Sequence, residues 1–172
     1  MNTSQLNPSE YHDFYKTYID MIPDNLELIE GYKRGLKLYE EFFQDLSVDK
    51  LYYKYAEGKW TVAEVMQHVI DTERIFMYRC FRIARHDNTP LAGFDQDIYI
   101  KPSGANNKTL DSLLEEYLIT RQNSIVILKS LSEHDLSFMG NTDGKAMSAR
   151  AAAFAVLGHE LWHLKILKER YI

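Results

Sequence analysis

Residues 61–85, TVAEVMQHVIDTERIFMYRCFRIAR, have the clearest helix pattern in the chain. Thr61 and Glu64 form the S/T-x-x-E capping box that begins many helices. After this box, apolar side chains recur every three or four residues: Val62, Val65, Val69, Phe76, Cys80 and Ile83. The spacing predicts a long amphipathic helix that ends near Arg85 and packs one face against a core.

Three further long helices are predicted on either side of this one. They cover about 26–46, 109–130 and the segment from a Ser148 cap almost to the C-terminus. A short leading helix is predicted from the cap at 7–10 to about Asp20. No β-hairpin is predicted. The fold class is therefore all-α, an up-down four-helix bundle with a short extra N-terminal helix and a long connection between the second and third long helices.

Size, charge and cysteine content limit the classes of protein that the chain can represent. With 172 residues, 45% of them hydrophobic, we expect one domain over 1–172. The formal charge of -5 argues against binding to nucleic acid or an anionic membrane, because both need a basic surface. Cys80 is the only cysteine, so we expect no disulfide and a cytoplasmic location. Residues 1–10 lack a signal-peptide core and no apolar run approaches about 18 residues, so a soluble protein is expected.

The connection at 88–108 contains two prolines and two glycines, which predicts irregular structure. A connection of this length in a compact protein is usually functional or mobile. Its segment 94–97, Phe-Asp-Gln-Asp, either closes over a cavity as a lid or braces the connection against the bundle. The sequence leaves both alternatives open.

A row of basic side chains follows the second long helix. Asp71 and Glu73 are close enough along this helix to pair with some of these cations, which also favour its C-terminal end. Helix-end charge preference and pairing therefore explain the row better than a DNA contact does; its members are Arg74, Arg79, Arg82 and Arg85.

His159 and His163 are four residues apart, so a helix places both imidazoles on one side, as a single metal ion requires. The spacing alone is also compatible with two packed structural histidines. The small residues Ala152 and Ala155 lie on the same side, and they either leave room for a ligand or permit close helix packing.

Residues 159–163 match the H-E-x-x-H pattern of zinc peptidases, in which the glutamate activates water. A peptidase is not predicted, because the segment 164–172 contains no His, Asp or Cys and its Glu169 lies on the wrong side of the helix. A carboxylate-bridged di-iron site is disfavoured too, since only one Glu-x-x-His pair is present, Glu160 with His163.

His68 is the best candidate for a third ligand, because it lies at the margin of the apolar stripe of its helix. His12, His86 and His134 fall in segments that we expect to be exposed or at loop edges. Three neutral histidines with open coordination positions suit zinc, nickel, iron or manganese and leave room for water or substrate. Such an ion acidifies a bound water or holds a thiol as thiolate.

Four motifs together resemble the DinB-like, YfiT-like family of metal-binding four-helix bundles. They are EGKWT at 57–61, EVMQHVIDTERIF at 64–76, PLAGFD at 90–95 and GHELWHLK at 158–165. The resemblance spans nearly the whole chain. It implies the bundle fold and one divalent metal ion bound by His68, His159 and His163.

The resemblance also implies an activity on a small-molecule substrate. The first expectation is a metal-dependent transferase that activates a low-molecular-weight thiol, such as bacillithiol, for attack on an electrophile. The alternatives are a metal-dependent hydrolase and a non-catalytic metal-binding scaffold or sensor, and relatives suggest a homodimer. Glu160 is a candidate catalytic base for hydrolysis; the competing interpretation is a helix-surface carboxylate paired with a neighbour.

Overall fold

The computed structural model describes residues 1–172 as a mostly helical protein, which confirms the predicted fold class. No helix combines the length and the apolar composition that a membrane span requires. The regular elements are α1 Lys16–Ile19, α2 Leu28–Phe43, α3 Val48–Leu51, α4 Val62–Ala84, α5 Gln96–Ser103, α6 Leu110–Lys129, α7 Glu133–Leu136, β1 Met139–Thr142, β2 Lys145–Ser148 and α8 Ala149–Arg170.

The long helices α2, α4, α6 and α8 form the bundle and begin close to the predicted positions. Thr61, Thr109 and Ser148 each accept a hydrogen bond through the side-chain oxygen from a backbone N–H three residues later. These caps satisfy donors that a helix start leaves free, and they stabilise each start by about 1 kcal/mol. The predicted capping box of Thr61 and Glu64 is present.

Two apolar clusters fill the bundle at opposite ends. One contains the C-terminal half of α4 and the N-terminal half of α8, around Tyr32 and Phe154. The other contains the N-terminal half of α4 and the C-terminal part of α8, around Phe43 and Met66. The two helices are therefore antiparallel. The buried polar residues between the clusters form a polar layer across the middle of the bundle: His68, Thr72, Glu73, Thr120, Arg121, Ser124, His159, Glu160 and His163.

The leading segment is less regular than the predicted helix. The Asn7 cap is confirmed, but the segment forms 3-10 turns at 8–10 and 13–15 before the single turn of α1. Glu10 accepts hydrogen bonds from Ser148 Oγ and the Arg150 guanidinium, which tie the segment to the start of α8. This tertiary contact, and not a continuous helix, therefore holds the leading segment in place.

The expectation of no β-hairpin is wrong. Strands β1 and β2 pair antiparallel and are joined by Asp143 and Gly144, whose φ angles are 55° and 74°. Two positive φ angles define a type I′ turn, and Asp-Gly is among its strongest sequence signals. The Asp143-Gly144 sequence therefore indicates a hairpin, but the two strands of four residues show little of the apolar–polar alternation that is typical of β-strands.

The connection at 88–108 is not irregular throughout, because it contains α5. Asp95 caps this helix and Gly104, with φ of 64°, ends it. Pro102 lies in its last turn, where it does not prevent the preceding residues from being helical. Leu91 forms a bridge with Thr142, so the connection is attached to the hairpin.

Close packing of α1 on α8 depends on Gly158. A Cβ atom at this position would lie 1.9 Å from the carbonyl oxygen of Tyr18. We expect Gly158→Ala to lower the free energy of unfolding by about 1–3 kcal/mol, although an unhindered change of this kind in a helix adds about 1 kcal/mol. Urea denaturation measures the difference. Lys165→Ala, exposed on the same helix, is the control and should change stability by less than about 0.5 kcal/mol; stabilisation by Gly158→Ala would contradict the packing argument.

Candidate metal centre

The side chains of His68 on α4 and of His159 and His163 on α8 converge in the polar layer. Nε2 of His159 lies 3.0 Å from Nε2 of His68 and 3.0 Å from Nε2 of His163. One ring nitrogen from each of the three residues lies within 4.8 Å of the others. All three are buried, with exposed fractions of 3%, 6% and 7%. The trio selected from the sequence is thus brought together.

Neighbouring side chains fix the orientation of the three rings. Thr72, one turn after His68, places its hydroxyl 3.4 Å from the Nδ1 of His68, so the Nε2 faces α8. Aromatic rings cover each imidazole at centroid distances of 4.8–5.2 Å: Trp60 on His68, Tyr18 on His159 and Trp162 on His163. These rings shield the nitrogens from bulk water.

Burial keeps the three imidazoles neutral. Desolvation lowers the pKa of His68 to about 4 and the pKa of His163 to about 3, with a smaller contribution to His163 from His68. The pKa of His159 is also lowered well below its ordinary value, first by burial and then by its two neighbours. The neutral form is the one that coordinates a metal ion.

The donor set fits a metal ion better than it fits hydrogen bonds among the histidines alone. A neutral imidazole has one acceptor nitrogen, so His159 Nε2 cannot form good hydrogen bonds with both neighbours. Separations of 3.0 Å are close to those between nitrogen ligands on one ion, whose metal–nitrogen bonds are about 2.0–2.1 Å long. Nitrogen ligands of this kind suit zinc, nickel and iron.

The other three histidines lie outside the centre. His12, His86 and His134 are exposed, as predicted. The His86 ring nitrogen is 2.9 Å from the carboxylate of Asp135, and the ring stacks on Phe138. These contacts belong to the surface near α7.

A cavity of about 290 Å³ opens beside His159. Ala155 lines it, as expected for a small residue next to the histidine pair, whereas Ala152 is packed in the core instead. The segment 94–97 lines the cavity as well, so it lies next to the candidate centre, and its movement as a lid stays a prediction. The remaining lining residues are Phe14, Tyr15, Tyr18, Thr72, Phe76, Arg79, Gly93 and Asp143.

Comparison with known proteins gives the family. Residues 32–167 match the family model of the DinB superfamily. The chain belongs to the DinB superfamily. A search of curated proteins found no match. Among solved structures, YfiT from Bacillus subtilis is similar with a TM-score of 0.68 over 96% of this chain and 92% of that one, at 16% sequence identity. YfiT is described as a probable metal-dependent hydrolase with an unusual four-helix bundle topology, and at this identity the likeness shows the fold.

In this DinB superfamily member Glu160 lies next to His159 in sequence, but its carboxylate faces another partner set. It accepts a hydrogen bond from the Tyr117 hydroxyl at 2.6 Å and forms an ion pair with Arg121. Only 1% of Glu160 is exposed, so the interpretation as a helix-surface carboxylate is wrong. Its role as a catalytic base stays a prediction.

Arg121 is the centre of a buried ionic network that sequence reasoning did not identify. Its guanidinium, 0% exposed, binds Glu73 through two nitrogens at 2.9–3.0 Å and also binds Glu160. The absence of a side chain at Gly35 leaves room for this group, because a Cβ there would lie 2.3 Å from an Arg121 nitrogen. Burial, opposed by Arg121 and Tyr117, raises the pKa of Glu160. The sequence feature that could have indicated this network is the charged residue Arg121 on the apolar stripe of α6, four residues after Tyr117.

Removing the guanidinium should destabilise the protein strongly. Arg121→Met leaves the carboxylates of Glu73 and Glu160 buried without a countercharge, and we expect the free energy of unfolding to fall by about 3–5 kcal/mol. Arg74→Met is the matched control: Arg74 pairs with Asp71 and Glu116 at the surface, where the loss should be below about 1 kcal/mol. Urea denaturation of both variants provides the measurement. Equal losses would show that the buried network does not stabilise the bundle.

Proposed function

We propose that this DinB superfamily protein is a hydrolase of small molecules that uses one divalent metal ion bound by His68, His159 and His163. The observation that carries the proposal is the convergence of three buried imidazoles, one of which, His159, lines a cavity of about 290 Å³. Zinc, nickel, iron and manganese are the candidate ions, and three protein ligands leave coordination positions free for reactants.

The residues of the chain bind the substrate and limit the access of water. When bound, the ion supplies Lewis acidity, which polarises a substrate carbonyl and lowers the pKa of a coordinated nucleophile. Tyr18, Phe76 and Phe94 present apolar surface to the cavity, so they favour a partly apolar substrate. Thr72 holds the His68 ring, which makes it a positioning residue.

Two observations favour hydrolysis over thiol transfer. Cys80 cannot supply the thiol, because it is buried outside the cavity and burial raises its pKa to about 12. The description of YfiT as a probable metal-dependent hydrolase supports the same choice.

Transfer of a low-molecular-weight thiol such as bacillithiol is the second candidate, and the metal-containing scaffold or sensor is the third. Organisation as one domain over 1–172, homodimer formation, a cytoplasmic location and the absence of nucleic-acid partners stay predictions from the sequence.

The first test couples metal content to turnover. Elemental analysis after loading with zinc or nickel and dialysis should find one ion per wild-type chain and almost none in His159→Ala. The exposed His134→Ala is the matched control and should keep the ion. Wild type and control should hydrolyse members of a panel of small esters and amides without added thiol, and His159→Ala should not.

Each alternative gives a different result in this test. Equal metal in His159→Ala and wild type would refute the ligand assignment. Turnover of an electrophile only after bacillithiol is added would replace hydrolysis with thiol transfer. Metal binding without turnover of either substrate class would favour the scaffold.

A separate variant tests Glu160. Because Tyr117 and Arg121 occupy its carboxylate, we expect Glu160→Gln to keep the metal ion and to lower kcat by less than about tenfold, while the free energy of unfolding decreases. A general base would instead account for about 10²–10⁴-fold of kcat. A loss of that size, together with intact metal content and an altered pH–rate profile, would assign the catalytic role to Glu160.

A further inference from the structure

Arg79 differs from the other arginines of α4 in its surroundings. Arg74 and Arg82 pair with carboxylates and Arg85 is exposed. Arg79 is only 3% exposed, yet no carboxylate lies within 4.0 Å of its guanidinium in the structure. A buried cation normally has a countercharge, because removing a charge from water is expensive.

The contacts of Arg79 hold its side chain in place but use only part of the hydrogen-bonding capacity of the guanidinium. Its Nη2 donates a hydrogen bond to the carbonyl oxygen of Ala92 at 2.9 Å. The guanidinium carbon lies 4.9 Å from the centroid of the Phe76 ring and 5.6 Å from that of Phe94. Most of its N–H donors have no protein acceptor, and none of its nitrogens is among the fully occluded unpaired atoms. These donors are therefore accessible to solvent, and Arg79 lines both the cavity beside His159 and a second cavity of about 340 Å³ that it shares with Arg82.

The first of these cavities is lined by His159 as well, so a molecule bound there can contact both residues. Along α4, Arg79 follows His68 by three turns, about 16 Å in axial rise, and lies on nearly the same side of the helix. Arg79 and the histidine trio thus lie toward two ends of one site. The paired N–H groups of a guanidinium match the two oxygens of a carboxylate.

We propose that Arg79 binds the carboxylate of the substrate, which is a small monocarboxylate with its hydrolysable bond directed at the histidine trio. The substrate class rests on the proposed function, whereas anion binding by Arg79 does not. Asp95, Asp97 and Asp143 are exposed and line the same cavity, so they oppose the binding of any anion there and repel a multiply charged anion such as phosphate more than a single carboxylate. The apolar rings of Phe76 and Phe94 accommodate the carbon chain between the two polar ends.

Binding is tested first, without any need for turnover. Butyrate, butyramide and inorganic phosphate are titrated into the full-length metal-loaded protein and into His159→Ala, and binding is followed by NMR. Butyrate should bind both proteins and perturb the signals of residues 92–97, and butyramide should bind much more weakly. Arg79→Gln should weaken butyrate binding by at least about tenfold, and the exposed Arg85→Gln should leave it unchanged.

A second variant separates charge from geometry. Arg79→Lys keeps the positive charge but lacks the planar fork, so its affinity for butyrate should lie between wild type and Arg79→Gln. Thermal melting of each variant establishes that it is folded. Equal butyrate affinity in wild type and Arg79→Gln, or equal binding of butyrate and butyramide to wild type, would refute the role of Arg79. Tighter binding of phosphate than of butyrate would refute the carboxylate assignment.

Kinetics test the substrate class. The substrates are two nitrophenyl esters that differ only in a terminal carboxylate or its neutral methyl ester. Arg79→Gln should lower kcat/KM about tenfold for the carboxylate ester and leave it nearly unchanged for the neutral one. Equal losses for both esters would indicate a merely structural role. Failure of wild type to hydrolyse either ester would contradict the proposed hydrolysis, and the butyrate titration would still decide whether Arg79 binds a carboxylate.

Discussion

The buried ion pairs of Arg121 are the interaction on which the rest of the structure depends. This guanidinium from α6 joins Glu73 of α4 to Glu160 of α8, so it sets the rotation of both helices about their axes. Two carboxylates face one guanidinium. The Tyr117 hydroxyl donates a further hydrogen bond to Glu160, which has fewer contacts with Arg121 than Glu73 has. Because an uncompensated charge in a bundle core is costly, helix rotations that separate these groups are disfavoured.

The rotation of α4 and α8 in turn determines where the histidines point. Consecutive residues on a helix differ by about 100°, so fixing Glu160 toward α6 directs His159 toward α1 and the cavity. The polar layer therefore has two sides, one ionic and fully packed, the other made of neutral imidazoles beside a cavity.

Local signals in the sequence were sufficient for the four long helices and for the His159/His163 pair, whereas His68, 91 residues from His159, was assigned from its place at the margin of an apolar stripe and from the family resemblance. Caps and apolar spacing act within one helix, and an i, i+4 pair needs no knowledge of the fold. The environment of Glu160 could not be predicted in this way, because it depends on Arg121, which is distant in sequence and reaches it from another helix. Helix α5 was missed since Pro102 and Gly104, which indicated irregular chain, lie only at its C-terminal end. The type I′ hairpin was missed despite its Asp143-Gly144 signal.

The elements that were hardest to predict are also those that shape the far end of the cavity. Phe94 and Asp95 come from the connection before α5, Asp143 comes from the hairpin turn, and the hydrogen bond of Arg79 goes to the backbone of that connection. The bundle helices provide the histidines, whose geometry is set by regular helix packing. Substrate selection under the proposed function depends instead on these attached segments, because loops and turns can change without disturbing the ionic layer that holds the bundle together.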